Sequence, residues 1–173
     1  MRIVSGKYGG RTLVSPSDTR VRPTAEQVRA ATLDLVAEHV KGARVLDLFA
    51  GTGALGLEAI SRGARSVDFV ETRPSSLHAL KANIALLRQL RSTRVFKRDA
   101  VQFAAALSAD RYDIAFLDPP YESKMLDLVL ASWKAGRFSR VLAVEHAASH
   151  AVPQGVARRT FGDTLVTVYR QDA

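Results

Sequence analysis

Cysteine is absent from all 173 residues. That excludes disulfide cross-links and thiolate chemistry, and nothing argues for an oxidising compartment. Long apolar runs are absent too, and none approaches the ~20 residues a membrane-spanning helix needs. The opening Met1-Arg2-Ile3-Val4-Ser5-Gly6-Lys7 lacks the apolar centre of a signal peptide. A cytoplasmic protein without a membrane partner is therefore expected. Acid is scarce: 17 Asp and Glu stand against 25 Lys and Arg, for a net charge of +8. Such an excess favours a polyanionic partner. The length suits one domain, here read as residues 1–173, and 47% hydrophobic content can supply its core. Neither an internal repeat, a low-complexity tract nor an interdomain linker is found, and a monomer is expected.

Residues 1–14 alternate in polarity around Gly9-Gly10 and read as a small hairpin. A loop rich in Ser, Pro and Asp follows, and then Thr24 with Gln27 forms a capping box for a helix reaching about residue 39. Val28, Ala31, Leu35 and Val36 would be its buried stripe. Residues 1–40 thus make a basic extension on a core over 41–173. From Arg44 onward, strands expected near 44–49, 66–71, 93–98, 112–117 and 140–145 alternate with helices near 54–62, 74–90, 100–108 and 123–134. That alternation means a parallel sheet with right-handed crossovers and helices on both faces. The ending Arg158-Arg159-Thr160-Phe161-Gly162-Asp163-Thr164-Leu165-Val166-Thr167-Val168-Tyr169 reads as two strands about a Gly-Asp turn.

Two motifs carry chemistry. Asp118-Pro119-Pro120-Tyr121 follows the apolar run Ile114-Ala115-Phe116-Leu117. Two prolines end the ladder, because proline donates no N–H and restrains its predecessor. A carboxylate, rigid carbonyls and an aromatic ring then project at the sheet's carboxyl edge, where open α/β sheets bind ligands. Acceptors for an amine beside a stacking ring suit a flipped-out nucleobase with an exocyclic amino group. The second motif, Val45-Leu46-Asp47-Leu48-Phe49-Ala50-Gly51-Thr52-Gly53-Ala54-Leu55-Gly56, runs from a strand through a glycine turn into a helix. The glycines also fit a dinucleotide fingerprint, with Glu71 as its ribose-binding acid. Asp47 tilts the choice, since a pyrophosphate has little use for a carboxylate there while the ammonium of S-adenosylmethionine does. Glycine would let the backbone approach that cofactor closely.

Together the motifs resemble class I methyltransferases. With Ser5-Gly6-Lys7-Tyr8 and Arg22-Pro23-Thr24 added, nearly the whole chain resembles the bacterial small-subunit (16S) ribosomal RNA guanine-N2 methyltransferase family. The family often has a basic residue where Gly9 stands and a glutamate where Ala30 stands. The resemblance implies a seven-stranded Rossmann-like sheet ending in an antiparallel hairpin, S-adenosylmethionine as cofactor, and ribosomal RNA or a small subunit, assembled or assembling, as partner. It implies catalysis at Asp118, Pro119, Pro120 and Tyr121, and cofactor contacts from Asp47, Phe49, Gly51, Gly53, Glu71, Asp99 and Ala100. For Asp99 the family's adenine contact stands beside the plainer role of helix N-cap. Arg2, Lys7, Arg11, Arg20 and Arg22 form the candidate RNA clamp.

Other polar residues read more plainly. Asn83 is taken as part of a polar helix face, and Trp133 as packing beneath the sheet. His146 and His150 stand four apart, without a third ligand in a recognised pattern, so no metal site is expected. Three other functions remain open. Adenine-N6 methylation uses a similar Asp-Pro-Pro-Tyr motif. A non-catalytic RNA-binding assembly factor could keep the fold, and a nicotinamide-dependent dehydrogenase could use the glycine turn.

Overall fold

The computed structural model describes residues 1–16, 25–121 and 123–171. Seven strands form one sheet: β1 (Arg44–Leu48), β2 (Ser66–Val70), β3 (Thr93–Phe96), β4 (Tyr112–Leu117), β5 (Ser139–Ala147), β6 (Ala157–Phe161) and β7 (Thr164–Arg170). Their order is β3-β2-β1-β4-β5-β7-β6. The first five run parallel, and β7 pairs antiparallel with both β5 and β6. The helices are α1 (Glu26–Leu35), α2 (Ala37–Val40), α3 (Ala54–Ser61), α4 (Pro74–Leu86), α5 (Ala100–Ala105) and α6 (Met125–Gly136). Among the described residues, no helix is long and apolar enough to cross a membrane.

Strand alternation sorts side chains into two cores. Val45, Val67, Phe69, Ile114, Phe116, Val141 and Ala143 face one side, beneath Leu33, Leu57, Ile60, Leu80 and Ile84 of the helices. Leu46, Leu48, Val70, Ala115, Leu117, Leu142 and Val144 face the other, beneath Phe103, Leu126, Val129 and Trp133. A strand with both faces covered must be apolar throughout, which is why β1 and β4 read as nearly continuous hydrophobic runs. Trp133 packs there as expected, its indole N–H donating to the Ser139 carbonyl at 2.9 Å.

The helix ends depart from the sequence reading. Helix α1 stops at Leu35 because Val36 (φ −115°, ψ 13°) breaks the helical geometry before α2. Thr24 lies outside the described residues, and the N-cap position is Ala25, without a side-chain cap bond. Helix α4 ends near Leu86, where Arg88 turns to φ 55°. The buried face of α1 carries Arg29, Thr32 and Leu33 beside the expected Val28 and Ala31, with Leu35 only half-buried.

The expected amino-terminal hairpin is a compact antiparallel turn with one bridge, Arg2 to Thr12, rather than two strands. It does not stand apart as a charged arm. Ile3 and Leu13 are buried in the core, and the backbone docks on the end of α3. The Lys7 N–H donates to the Ser61 carbonyl at 2.7 Å, and the Tyr8 N–H to its hydroxyl at 2.9 Å. A Cβ at Gly6, whose φ is +81°, would sit 2.1 Å from that carbonyl oxygen. Glycine is thus required twice over, for conformation and for space.

Candidate active site at the carboxyl edge of the sheet

Strand order reverses between β1 and β4, and ligands of open α/β sheets bind outside the carboxyl ends at such a switch point. A cavity of about 430 Å³ opens there. Its wall brings together Asp47, Phe49, Gly51, Glu71, Asp99 and Ala100 with Asp118, Pro119, Pro120 and Tyr121. Gly53 does not line it. A Cβ at Gly53 would lie 2.3 Å from Leu80 Cδ1, so its smallness, like its φ of +78°, serves the packing of the turn on α4. Gly51 has open space where its Cβ would be. Phe49 also has left-handed backbone, at φ 59°, which costs a non-glycine residue ~1 kcal/mol or more and is typical of functional turns.

The acids at the β1–β2 side have different surroundings. Asp47, at 2% exposure, accepts the Gly56 N–H at 2.9 Å. Burial pushes its carboxyl well above the ordinary range. The Gly56 bond opposes that shift, and neighbouring Asp118 and Glu71 add to it. A buried carboxylate so placed is matched by a cation, and the donor set here fits an ammonium-bearing cofactor. Glu71 already accepts three backbone N–H groups: Gly51 at 2.8 Å, Thr72 at 2.7 Å and Arg73 at 2.8 Å. Of about four lone-pair sites on a carboxylate, that leaves capacity for one further hydroxyl rather than a pair. Glu71 therefore also holds the glycine turn. Asp99 caps α5, accepting from the Gln102 N–H at 2.8 Å, and still reaches the cavity wall.

At the β4 side, Tyr121 is tied back to the sheet. Its hydroxyl lies 2.9 Å from Thr164 Oγ1 and donates to Glu145 Oε1 at 3.3 Å. Its pKa is raised, first by burial and further by Glu145 and Asp118, while the Thr164 bond opposes the shift. Glu145 and Thr164 also line the cavity, and the sequence motifs did not flag either.

The candidate clamp is divided. Arg2 pairs with Glu26 at 3.4 Å. Lys7 lies over the Tyr8 ring at 5.3 Å, and Arg11 is exposed. Arg20 and Arg22 fall outside the described residues. Three further residues tie this segment down, and sequence patterning did not single out two of them. Buried Glu58 accepts the Val4 and Ser5 N–H groups at 2.8 and 2.9 Å. It sits 3.6 Å from Arg29, which is fully buried beside it and donates to the Arg2 carbonyl. The third is Asn83, and here the structure corrects the expected polar face. The side chain is fully buried, accepts the Val14 N–H at 2.7 Å and donates to the Val14 and Thr52 carbonyls at 3.0 Å. It joins the amino-terminal segment to the glycine turn. His146 lies on β5, with Nε2 against Thr167 Oγ1 at 2.9 Å and Nδ1 against the Ala147 carbonyl at 3.0 Å. Among the described residues no cluster of three or more His, Asp or Glu could hold a metal ion.

The seven-stranded order, the glycine turn after β1 and the Asp-Pro-Pro-Tyr edge after β4 are the architecture of the class I methyltransferases. The chain belongs to the family described as conserved hypothetical protein 95, the family of ribosomal RNA small subunit methyltransferase D, whose model matches residues 1–170. It is 31% identical to the Bacillus subtilis protein named "Putative rRNA methyltransferase YlbH", over 99% of each chain. It is 35% identical to the ribosomal RNA small subunit methyltransferase D of Escherichia coli over 73% of this chain, a match spanning 63% of that protein's length. The solved structure "Putative methyltransferase yhhF from Escherichia coli" superposes with a TM-score of 0.85 at 30% identity, covering 100% of this chain and 98% of that one.

Proposed function

We propose that this protein transfers a methyl group from S-adenosylmethionine to the exocyclic N2 amine of a guanine in 16S ribosomal RNA. The observation that carries the proposal is the cavity at the switch point. Buried Asp47 and the Gly51 turn lie on one side, and Asp118-Pro119-Pro120-Tyr121 on the other. The family supports the reaction class, and the named relatives support ribosomal RNA as the substrate. The net charge of +8 supports a polyanionic partner.

When bound, the cofactor supplies a methyl group already activated by its sulfonium. Asp47 would meet the ammonium, relieving the cost of its own buried charge. Glu71, through its remaining acceptor site, would take a ribose hydroxyl, and Asp99 would take the adenine amine. Asp118 and the Pro119 carbonyl would accept hydrogen bonds from the target amine, whose lone pair is otherwise delocalised into the ring, and turn that lone pair towards the methyl. Orientation of well-aligned partners can supply up to ~7–11 kcal/mol. Tyr121 would hold the base by stacking, at ~1–3 kcal/mol. Lys7 and Arg11, held near the last turn of α3, would grip phosphates away from the reacting base.

The test is labelled methyl transfer to naked 16S RNA and to small subunits from cells lacking the enzyme, with the modified nucleoside identified. N2-methylguanosine is expected. N6-methyladenosine would replace this reading with the adenine one, and tight RNA binding without transfer would favour a non-catalytic assembly role.

A further inference from the structure

The sheet register places a second carboxylate beside Asp118. Leu117 of β4 pairs with Val144 of β5. The residues that follow, Asp118 and Glu145, therefore emerge side by side on neighbouring parallel strands, which lie about 4.8 Å apart. Side chains alternate along a strand, so both belong to the face that carries Phe116 and Ala143. Asp47 shares that face, because it pairs with Phe116. On the far side, Glu145 pairs with Val166, and Thr164 lies two residues along on the same face.

These side chains meet at one wall of the cavity. The Tyr121 hydroxyl bonds Thr164 at 2.9 Å and Glu145 at 3.3 Å, so ring and carboxylate are fixed relative to each other. Asp118, Tyr121, Glu145 and Thr164 all line the same space. Two adjacent carboxylates beside a ring match a purine edge with two adjacent donors. Guanine offers N1–H and N2–H. Adenine offers its amine beside an N1 lone pair, which a carboxylate would repel.

We infer that Glu145 is a specificity-determining residue that accepts the N1–H of the target guanine while Asp118 takes the N2 amine. The inference rests on the guanine-N2 reading above and divides between two carboxylates what one would otherwise have to do. Thr164 is a positioning residue that acts through Tyr121. The pair would reject bases that carry an acceptor at N1 through repulsion, as recognition sites commonly do.

The test uses the purified full chain and small subunits reconstituted on 16S RNA. The guanine that the enzyme methylates is kept, or replaced by 2,6-diaminopurine, which retains the 2-amino group but has an acceptor at N1. The parent should prefer guanine by about tenfold or more, the size of a charged hydrogen bond. Glu145→Gln should lose most of that preference, because its carboxamide can donate to the N1 acceptor. Its guanine rate should fall by about tenfold or more while diaminopurine transfer holds or rises. Unchanged S-adenosylmethionine affinity would show that the variant is folded. Thr164→Val should slow both substrates alike and leave the preference intact. If Glu145→Gln slows both substrates by the same factor, Glu145 does not read the base and the inference is overturned. If the parent places no methyl on guanine N2 at all, the underlying reaction is wrong, an outcome distinguishable because it appears before any variant is compared.

Discussion

Asp47→Asn is expected to stabilise the protein while weakening its hold on S-adenosylmethionine. The carboxyl is 2% exposed and its pKa lies well above the ordinary value, chiefly through burial. A raised folded-state pKa means that the folded protein binds this proton more tightly than the unfolded chain does. Stability therefore falls as pH rises from about 3.9 through the folded value, and the full cost of the charge is present above it. Asparagine keeps an oxygen for the Gly56 N–H and carries no charge. Relief of about 1–2 kcal/mol is typical of neutralising such a strained functional position. At ~2–4 °C per kcal/mol for a chain of this size, Tm should rise by about 2–8 °C near pH 7.5. That gain should shrink towards pH 4. Losing a charged partner for the cofactor ammonium should cost ~1.5–3 kcal/mol, or about 10–150-fold in Kd. Thermal melts across pH and calorimetry with S-adenosylmethionine measure both effects. A lower Tm together with unchanged affinity would refute the reasoning.

Three further outcomes follow from named contacts. Glu58→Ala should destabilise by ~3–5 kcal/mol, because it leaves Arg29 charged and unmatched in the core and frees the Val4 and Ser5 N–H groups; chemical denaturation measures it, and a loss below 1 kcal/mol would place the pair among weak surface contacts. Burial lowers the His146 pKa, so the fold favours the neutral ring. Its contribution is complete above about 6.5 and is lost as pH falls through the folded value, so His146→Gln should flatten the decline in stability below about pH 6.5. Neutralising Lys7 and Arg11 together should weaken RNA binding and reduce its salt slope by about 0.7–0.9 per lost phosphate contact, with cofactor affinity unchanged; a slope matching the parent would move the clamp elsewhere.

The strands were legible in the sequence because both faces of the parallel sheet are buried, so Val45–Leu48 and Ile114–Leu117 stand out as apolar runs. Asp47, Gly51 and Asp118–Tyr121 were legible because glycine and proline mark where backbone turns, next to residues whose chemistry is unusual there. Arg29, Glu58 and Asn83 were not. A polar residue on a helix reads as solvated until its partner is placed, and Glu58 meets Val4 across 54 positions. One signal was available: Glu58 is the lone charged residue of α3. Glu145 and Thr164 were hidden for another reason. Glu145 nears Tyr121 because β5 pairs beside β4, and Thr164 because β7 inserts antiparallel beside β5, neither of which a local motif specifies. The docking of the amino-terminal turn was likewise unreadable, since it depends on Gly6 meeting the last turn of α3.

In the proposed reaction one cavity holds methyl donor and target base on separate sets of side chains. Asp118→Ala measures this most directly, with S-adenosylmethionine affinity by calorimetry and single-turnover methyl transfer to 16S RNA or small subunits followed on the same preparation. Affinity close to the parent is expected, with transfer reduced by ~100-fold or more, the scale set by losing the orientation of the reacting amine. Transfer at the parent rate, or loss of cofactor binding in step with transfer, would contradict it.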